Sequence, residues 1–332
     1  MKAALIPAIL FFVSLIFVVH LAAVRTGIQP THSTEIDDGP MWRLLLRGGQ
    51  YIIPFVTLIV LMLNGYSPFK ASYISILVLL GCHIIWTRRI SFSIVSRSAT
   101  AIAEGSKAVI PIAIACAAAG IIAGTLGITG LGSKISSLII TASGGITIVA
   151  LFLTMLTAII LGMGLPTTAA YLILATVVAP ALAKMGVPLL TAHLFVFFYG
   201  CVSTITPPVA LASYVAAGIA KADINKVGWT AFRFGITCYI LPFMFFFGPY
   251  LLMDGSVVGI ILAFVTGIVG VFAIAASVVG YMKSLLNPGF RLLTALGGVA
   301  LLHQGLITDA LGFLAVALVW YLQSGNAKPV GA

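Results

Sequence analysis

Two short polar islands inside long apolar sequence are the residues of this chain best suited to chemistry. The first is Gly162-Met163-Gly164-Leu165-Pro166-Thr167-Thr168-Ala169-Ala170-Tyr171, and the second is Ser203-Thr204-Ile205-Thr206-Pro207-Pro208. Neither carries a charge, and apolar residues flank each on both sides. Glycine and proline break a helix and free carbonyl and amide groups. At membrane depth such groups are tolerated only where they are buried in protein or line a cavity. Hydroxyls and freed carbonyls together form a neutral oxygen set that suits a small hard cation such as sodium. The expected ligands are the side chains of Thr204 and Thr206 and backbone carbonyls around Gly162, Gly164 and residues 203–206. Helices restarting at Thr167 and near Pro208 would turn their N-terminal amides inward, and those positive dipole ends favour an anion such as a carboxylate. Two breaks close together in sequence point to a transporter's binding site. The expected ion- and substrate-binding set is therefore Gly162, Met163, Gly164, Pro166, Thr167, Thr168, Ser203, Thr204, Thr206, Pro207 and Pro208.

The alternative for one island alone is a simple kink, because glycine and proline are common in membrane helices. Two islands within fifty residues, both with paired hydroxyls, favour a site. Neither contains Asp, Glu or His, which argues against a proton relay. A membrane enzyme would need a metal-binding acid pair, or a nucleophile with its base, at membrane depth. None is visible, so the chain is read as a non-enzyme with no cofactor beyond sodium as coupling ion. His193 reads as a packed or interfacial residue, and the aromatics Phe195, Phe197, Phe198 and Tyr199 as bulk facing lipid or core.

Composition sets the class. The chain has 332 residues, 61% hydrophobic and 7% charged, against about 25% charged in a soluble domain. It is expected to be an all-α integral membrane protein. The net charge of +10 is spread singly and in pairs between apolar runs, a topology signal rather than a nucleic-acid face. Cys82, Cys116, Cys201 and Cys238 lie in apolar segments at unrelated spacings, so they read as plain buried thiols.

In chain order, residues 1–87 hold three spans, at about 4–24, 51–63 and 71–86. Between the first two lies a polar loop, 25–50, carrying the acidic cluster Glu35, Asp37 and Asp38. Residues 88–107 are too polar to span and too apolar for a free loop, and an interfacial amphipathic arm fits them. Residues 108–227 form the expected transport part. A span at 108–126 opens it, and 135–185 follows as either two full spans or a re-entrant hairpin whose tip is the first island. The hairpin is favoured, because 146–161 is shorter than the roughly 20 residues a crossing needs. Residues 189–220 overshoot a membrane as one helix and are expected to break at Thr206-Pro207-Pro208. Residues 228–332 then supply spans at 234–253 and 257–281, a last helical pair at 291–321 with Thr308-Asp309 between its arms, and a polar tail. The Lys and Arg residues of the short loops fall on one side, which places that side in the cytoplasm and the hairpin's entry outside.

At these residues the sequence resembles the large membrane subunit of tripartite ATP-independent periplasmic (TRAP) transporters, the DctM type. It is most similar to the long fused permeases that work with TAXI-type binding proteins. The first island carries the resemblance, with Ala179-Pro180-Ala181-Leu182, Thr206-Pro207-Pro208-Val209-Ala210 and the opening Ile6-Pro7-Ala8-Ile9-Leu10-Phe11-Phe12. It implies a bacterial inner-membrane, elevator-type carrier with two inverted repeats, each with a re-entrant hairpin and a broken helix. It further implies sodium-driven uptake of substrates such as carboxylates, delivered by a periplasmic TAXI-type binding protein. Under the resemblance, 135–185 is the second hairpin, 189–220 the second broken helix and 88–107 the arm. The first repeat and the small membrane subunit fused ahead of it are absent from these residues, so the chain corresponds to the C-terminal half of such a permease. The expected partners are that missing N-terminal half, the small subunit and the lipid bilayer, with no nucleic acid. The alternative is a truncated, transport-inactive subunit with a structural or assembly role.

Overall fold

The structure is a computed structural model and describes residues 2–28, 41–87 and 92–324. The acidic cluster Glu35, Asp37 and Asp38, the pair Arg88 and Arg89, and residues 325–332 of the tail lie outside the described residues. The described chain is helical throughout, with an isolated bridge between Tyr281 and Leu285 and no strand. In order the helices are α1 (Leu5–Thr26), α2 (Met41–Leu63), α3 (Pro68–Thr87), α4 (Phe92–Ile128), α5 (Leu131–Ala142), α6 (Thr147–Gly162), α7 (Thr167–Val177) and α8 (Ala179–Lys184). They continue with α9 (Leu189–Val202), α10 (Leu211–Ala220), α11 (Ile224–Phe234), α12 (Ile236–Phe247), α13 (Val257–Val279), α14 (Pro288–Leu302) and α15 (Leu306–Ser324).

Among the described residues six helical segments are long and apolar enough to cross a membrane. A seventh results if 116–128 and α5, which meet at 72°, count as one span. The outer faces of these helices are apolar as well: Ile16 on α1, Val258 on α13 and Leu314 on α15 are 64%, 77% and 66% exposed. A water-soluble surface does not carry so much contiguous apolar area. This is an all-α integral membrane protein.

The chain divides into two compact units. One comprises residues 1–2 and 29–110, the other residues 3–28 and 111–332. In the first, α2 and α3 pack on each other, and Trp86 lies against Gly49, where a Cβ would approach its ring to 3.2 Å. In the second, α1 packs along α13, with Leu10 filling the notch at Gly267. Helix α1 thus finds its complementary face far along the chain.

Several boundaries shift for local reasons. Helix α2 begins at Met41, so Arg43 and Arg47 are helical rather than part of a polar loop. The expected arm and the span after it are one unbroken 37-residue helix, α4. Polar side chains alone do not stop a helix, and α4 continues through Lys107 and Ala108. The span expected at 234–253 starts earlier, where Asp223 caps α11 by accepting from the Lys226 amide at 2.8 Å. It pauses at Gly235 and ends at Phe247, before a 3-10 turn at Pro249–Leu252. Asp309 is not in the turn of the last pair; the turn is residues 303–305, and Asp309 sits buried in the first turn of α15. All four cysteines are free, and only Cys238 is fully buried.

One end of the second unit is organised by arginine. Arg25 of α1 donates to the Val279 carbonyl, and Arg233 of α11 reaches Val278 O at 3.3 Å. Arg291 of α14 donates to Ser277 O at 2.9 Å and Val278 O at 3.1 Å. A helix C-terminus leaves four carbonyls without intrahelical partners and carries a partial negative charge. Three helices are therefore tied to the end of α13 by cations that satisfy it. Replacing Arg291 with methionine keeps the apolar stem and removes two charge-assisted bonds. The expected cost is about 1–3 kcal/mol, read as a lower melting temperature of the purified protein in detergent.

Candidate transport site

The first island is a helix end, a tight turn and a helix start. Helix α6 stops at Gly162, Met163 is extended, and Gly164 takes the left-handed conformation at φ +77°. The Leu165 amide closes the turn on Gly162 O at 3.3 Å. Pro166 then begins α7, and its carbonyl accepts from the Ala170 amide at 2.9 Å. The amides of Thr167, Thr168 and Ala169 are left without an intrahelical acceptor, and no side chain caps them. The side chains of Thr167 and Thr168 are exposed at this helix start.

The second island breaks the other helix as expected. Helix α9 tightens into a 3-10 turn at Ser203–Ile205, Thr206 is extended, and Pro207-Pro208 follows. Ala210, in the left-handed region, redirects the chain, so α10 starts at Leu211 rather than at Pro208. Proline explains the gap: it has no amide to continue the ladder.

The structure brings the two breaks together. A Cβ on Gly162 would lie 2.7 Å from Ser203 Oγ and 3.2 Å from Ser203 Cβ, and Gly164 lies against Val209. Behind this contact α7 packs on α9, with Leu174 against Gly200. The hairpin α6–α7 therefore closes on the end of α9 with backbone nearly touching side chain. Ser203 is fully buried, and its hydroxyl donates to Gly200 O at 2.7 Å.

The hydroxyls are more committed than the sequence implied. Thr204 donates to Cys201 O at 2.7 Å. Thr206 donates to Val202 O at 2.7 Å and shares a 2.6 Å bond with the Tyr239 hydroxyl. Thr206 is thus bonded both to its own helix and to α12. Tyr214 donates to the Pro208 carbonyl, one of the groups the break had freed. Having donated their protons, the Thr204 and Thr206 hydroxyl oxygens each keep a free lone pair. Pro207 and Pro208 also line a cleft of about 130 Å³ with Tyr214, Asn225, Gly228 and Trp229.

Tyr239 is the residue that sequence reasoning missed. Besides holding Thr206, its carbonyl accepts from the Tyr199 hydroxyl at 2.7 Å. A tyrosine within an apolar run needs a partner for its hydroxyl, and that requirement was the available signal. His193 is half-buried and bonded through Nδ1 to the Tyr171 hydroxyl at 3.0 Å, a packing role. Phe195 and Tyr199 are core, stacked edge-on with each other and against Phe243.

A helical hairpin seated on a broken helix, uncharged throughout, is the arrangement the sequence comparison addresses. The family model for the tripartite ATP-independent periplasmic transporter, DctM component, matches residues 1–260. The chain belongs to the DctM family. It is thus a multi-pass membrane permease component of the TRAP type, in a family of transporters rather than enzymes. DctM components work with a periplasmic binding protein and a small membrane subunit. The DctM match contains both breaks and ends before α14 and α15. No curated protein and no solved structure matches the chain.

Proposed function

We propose that the α6–α7 hairpin and the α9–α10 break form a half-site of a sodium-coupled importer of organic anions such as carboxylates. The observation that carries this reading is the seating of Gly162 on Ser203, which brings the end of α6 and the end of α9 together in one uncharged place. In this reading the hairpin is re-entrant. The uncapped amides of Thr167, Thr168 and Ala169 face the substrate's carboxylate, because a helix N-terminus binds anions through its amides and its dipole. Sodium takes the remaining lone pairs of Thr204, Thr206 and the carbonyls around Gly162 and Gly164. Its ligands are all neutral oxygens, which suits a hard monovalent ion. Substrate arrives from a periplasmic binding protein of the TAXI type at the bacterial inner membrane, and the small membrane subunit and a complementary half-site complete the assembly.

Replacing Thr167, Thr168 or Thr206 with valine tests the ion assignment. Valine keeps the shape and removes the hydroxyl. Sodium activation of uptake by the reconstituted transporter should weaken, with insertion into the membrane unchanged. At Thr206 the effect should be largest, since one neutral hydrogen-bonding ligand is worth about 0.5–1.5 kcal/mol and Tyr239 also loses its partner. Unchanged sodium activation in all three variants would remove the assignment.

A further inference from the structure

A second polar cavity, about 200 Å³, lies where the α14–α15 turn meets the beginning of α13, at the opposite end of α13 from the arginines. Tyr250, Leu262, Ala263, Gln304, Leu306 and Asp309 line it. Asp309 is only 8% exposed, and its Oδ1 is buried with no donor. Gln304 Oε1 is buried and equally without a partner. The orientation of that amide is fixed. Its Nε2 donates to Gly248 O at 3.0 Å, and a carbonyl can only accept, so Oε1 is the atom left facing away. No basic side chain lines the cavity; His303, in the adjoining turn, is exposed and acts on Asp309 as a nearby charge rather than as a hydrogen-bond donor to Oδ1.

Two buried oxygens, one on a carboxylate, lack donors in the same cavity. A buried acceptor left unsatisfied is costly, and a carboxylate more so. What completes the pair must be a cation or a donor. A water molecule occupies about 30 Å³, so the space holds a small ion with a few waters.

We propose that this cavity is a monovalent-cation site, with Asp309 supplying the charge and Gln304 a neutral oxygen. Its two ligand-bearing residues lie beyond the matched residues 1–260 and far in sequence from the α6–α7 hairpin. The site is independent of the transport reading.

The test is the thermal stability of the full chain in detergent, in NaCl, KCl or NH4Cl against choline chloride at equal ionic strength. Binding to the folded state raises the melting temperature in proportion to the logarithm of ligand over Kd. At least one small cation should give a saturable rise over choline. Read in a Thr206→Val background, which removes the hydroxyl assigned to the transport site, Asp309→Asn should abolish the remaining rise, or raise its half-saturating concentration about tenfold, roughly 1.4 kcal/mol. Equal melting in all four salts would overturn the proposal and mean that water fills the cavity. A full shift retained in Asp309→Asn would overturn it too. Should that variant not fold, Gln304→Asn reads the same quantity, since asparagine tolerates the left-handed backbone at position 304 (φ +62°). A raised half-saturating concentration is expected there, and an unchanged one overturns the site.

Discussion

Replacing Gly162 with valine should stop uptake while leaving the chain folded and inserted. The first added carbon would stand 2.7 Å from Ser203 Oγ, well inside contact distance, with Gly200 Cα 3.6 Å away behind it. Ser203 cannot swing aside, because it is fully buried and its hydroxyl is held by Gly200 O. The strain falls where the hairpin tip meets the broken helix. Overpacking of this kind costs about 1–3 kcal/mol, and a seated arrangement penalised by that amount loses about 5- to 150-fold in population. Uptake should fall by that factor or more, with membrane insertion and detergent stability close to the parent. Pairing Gly162→Ala with Ser203→Gly opens the space and should restore part of the activity, a coupling that a double-mutant cycle measures. A loss in the double variant equal to the sum of the two single losses would mean that the two residues act separately.

Gly298→Leu should be the most destabilising single change in the C-terminal helices. Helices α13 and α14 touch backbone to backbone at Gly270 and Gly298. A Cβ on Gly270 would lie 2.9 Å from Gly298 O, and one on Gly298 would lie 2.8 Å from Gly270 O. Helices α14 and α15 repeat the device at Gly297 and Gly312, with corresponding approaches of 3.2 and 2.8 Å. In lipid no hydrophobic force drives helices together, so close approach at small residues carries the association. Neighbouring backbone cannot yield as a side chain can, and leucine at 298 must push α13 and α14 apart. The expected loss is about 3 kcal/mol, seen as a drop in melting temperature. Opening α14 away from α13 also weakens the Arg291 bonds at the far end.

Much of the architecture was legible because polar and helix-breaking residues are rare here and therefore informative. The island at 162–168 marked a turn between helices, and Thr206-Pro207-Pro208 marked a break; the helices stop and restart there. The contact between them was not legible, since nothing in the spacing says that Gly162 meets Ser203. Tertiary partners hid in the same way: α1 packs with α13, more than two hundred residues away, and Thr206 turns to Tyr239. Local composition misled where one residue type has two uses. Asp309, next to a threonine, read as a turn residue, yet a carboxylate in the first turn of a helix is also favourable, and that is where it lies. Residues 88–107 read as an interfacial arm distinct from the span at 108–126; polarity alone does not end a helix, and over the described residues from Phe92 onward α4 runs on through Lys107.

The central claim is that the closed hairpin and broken helix form part of a sodium-driven anion site. The measurement that tests it most directly is uptake of labelled dicarboxylates into proteoliposomes under an inward sodium gradient. The vesicles would hold this chain with its companion membrane subunits, and the cognate binding protein would be supplied outside. Sodium-dependent accumulation that requires this chain and is lost in Gly162→Val is the predicted result. Accumulation that proceeds equally with the parent and Gly162→Val, or without this chain, would contradict it and leave the chain a structural role in the assembly.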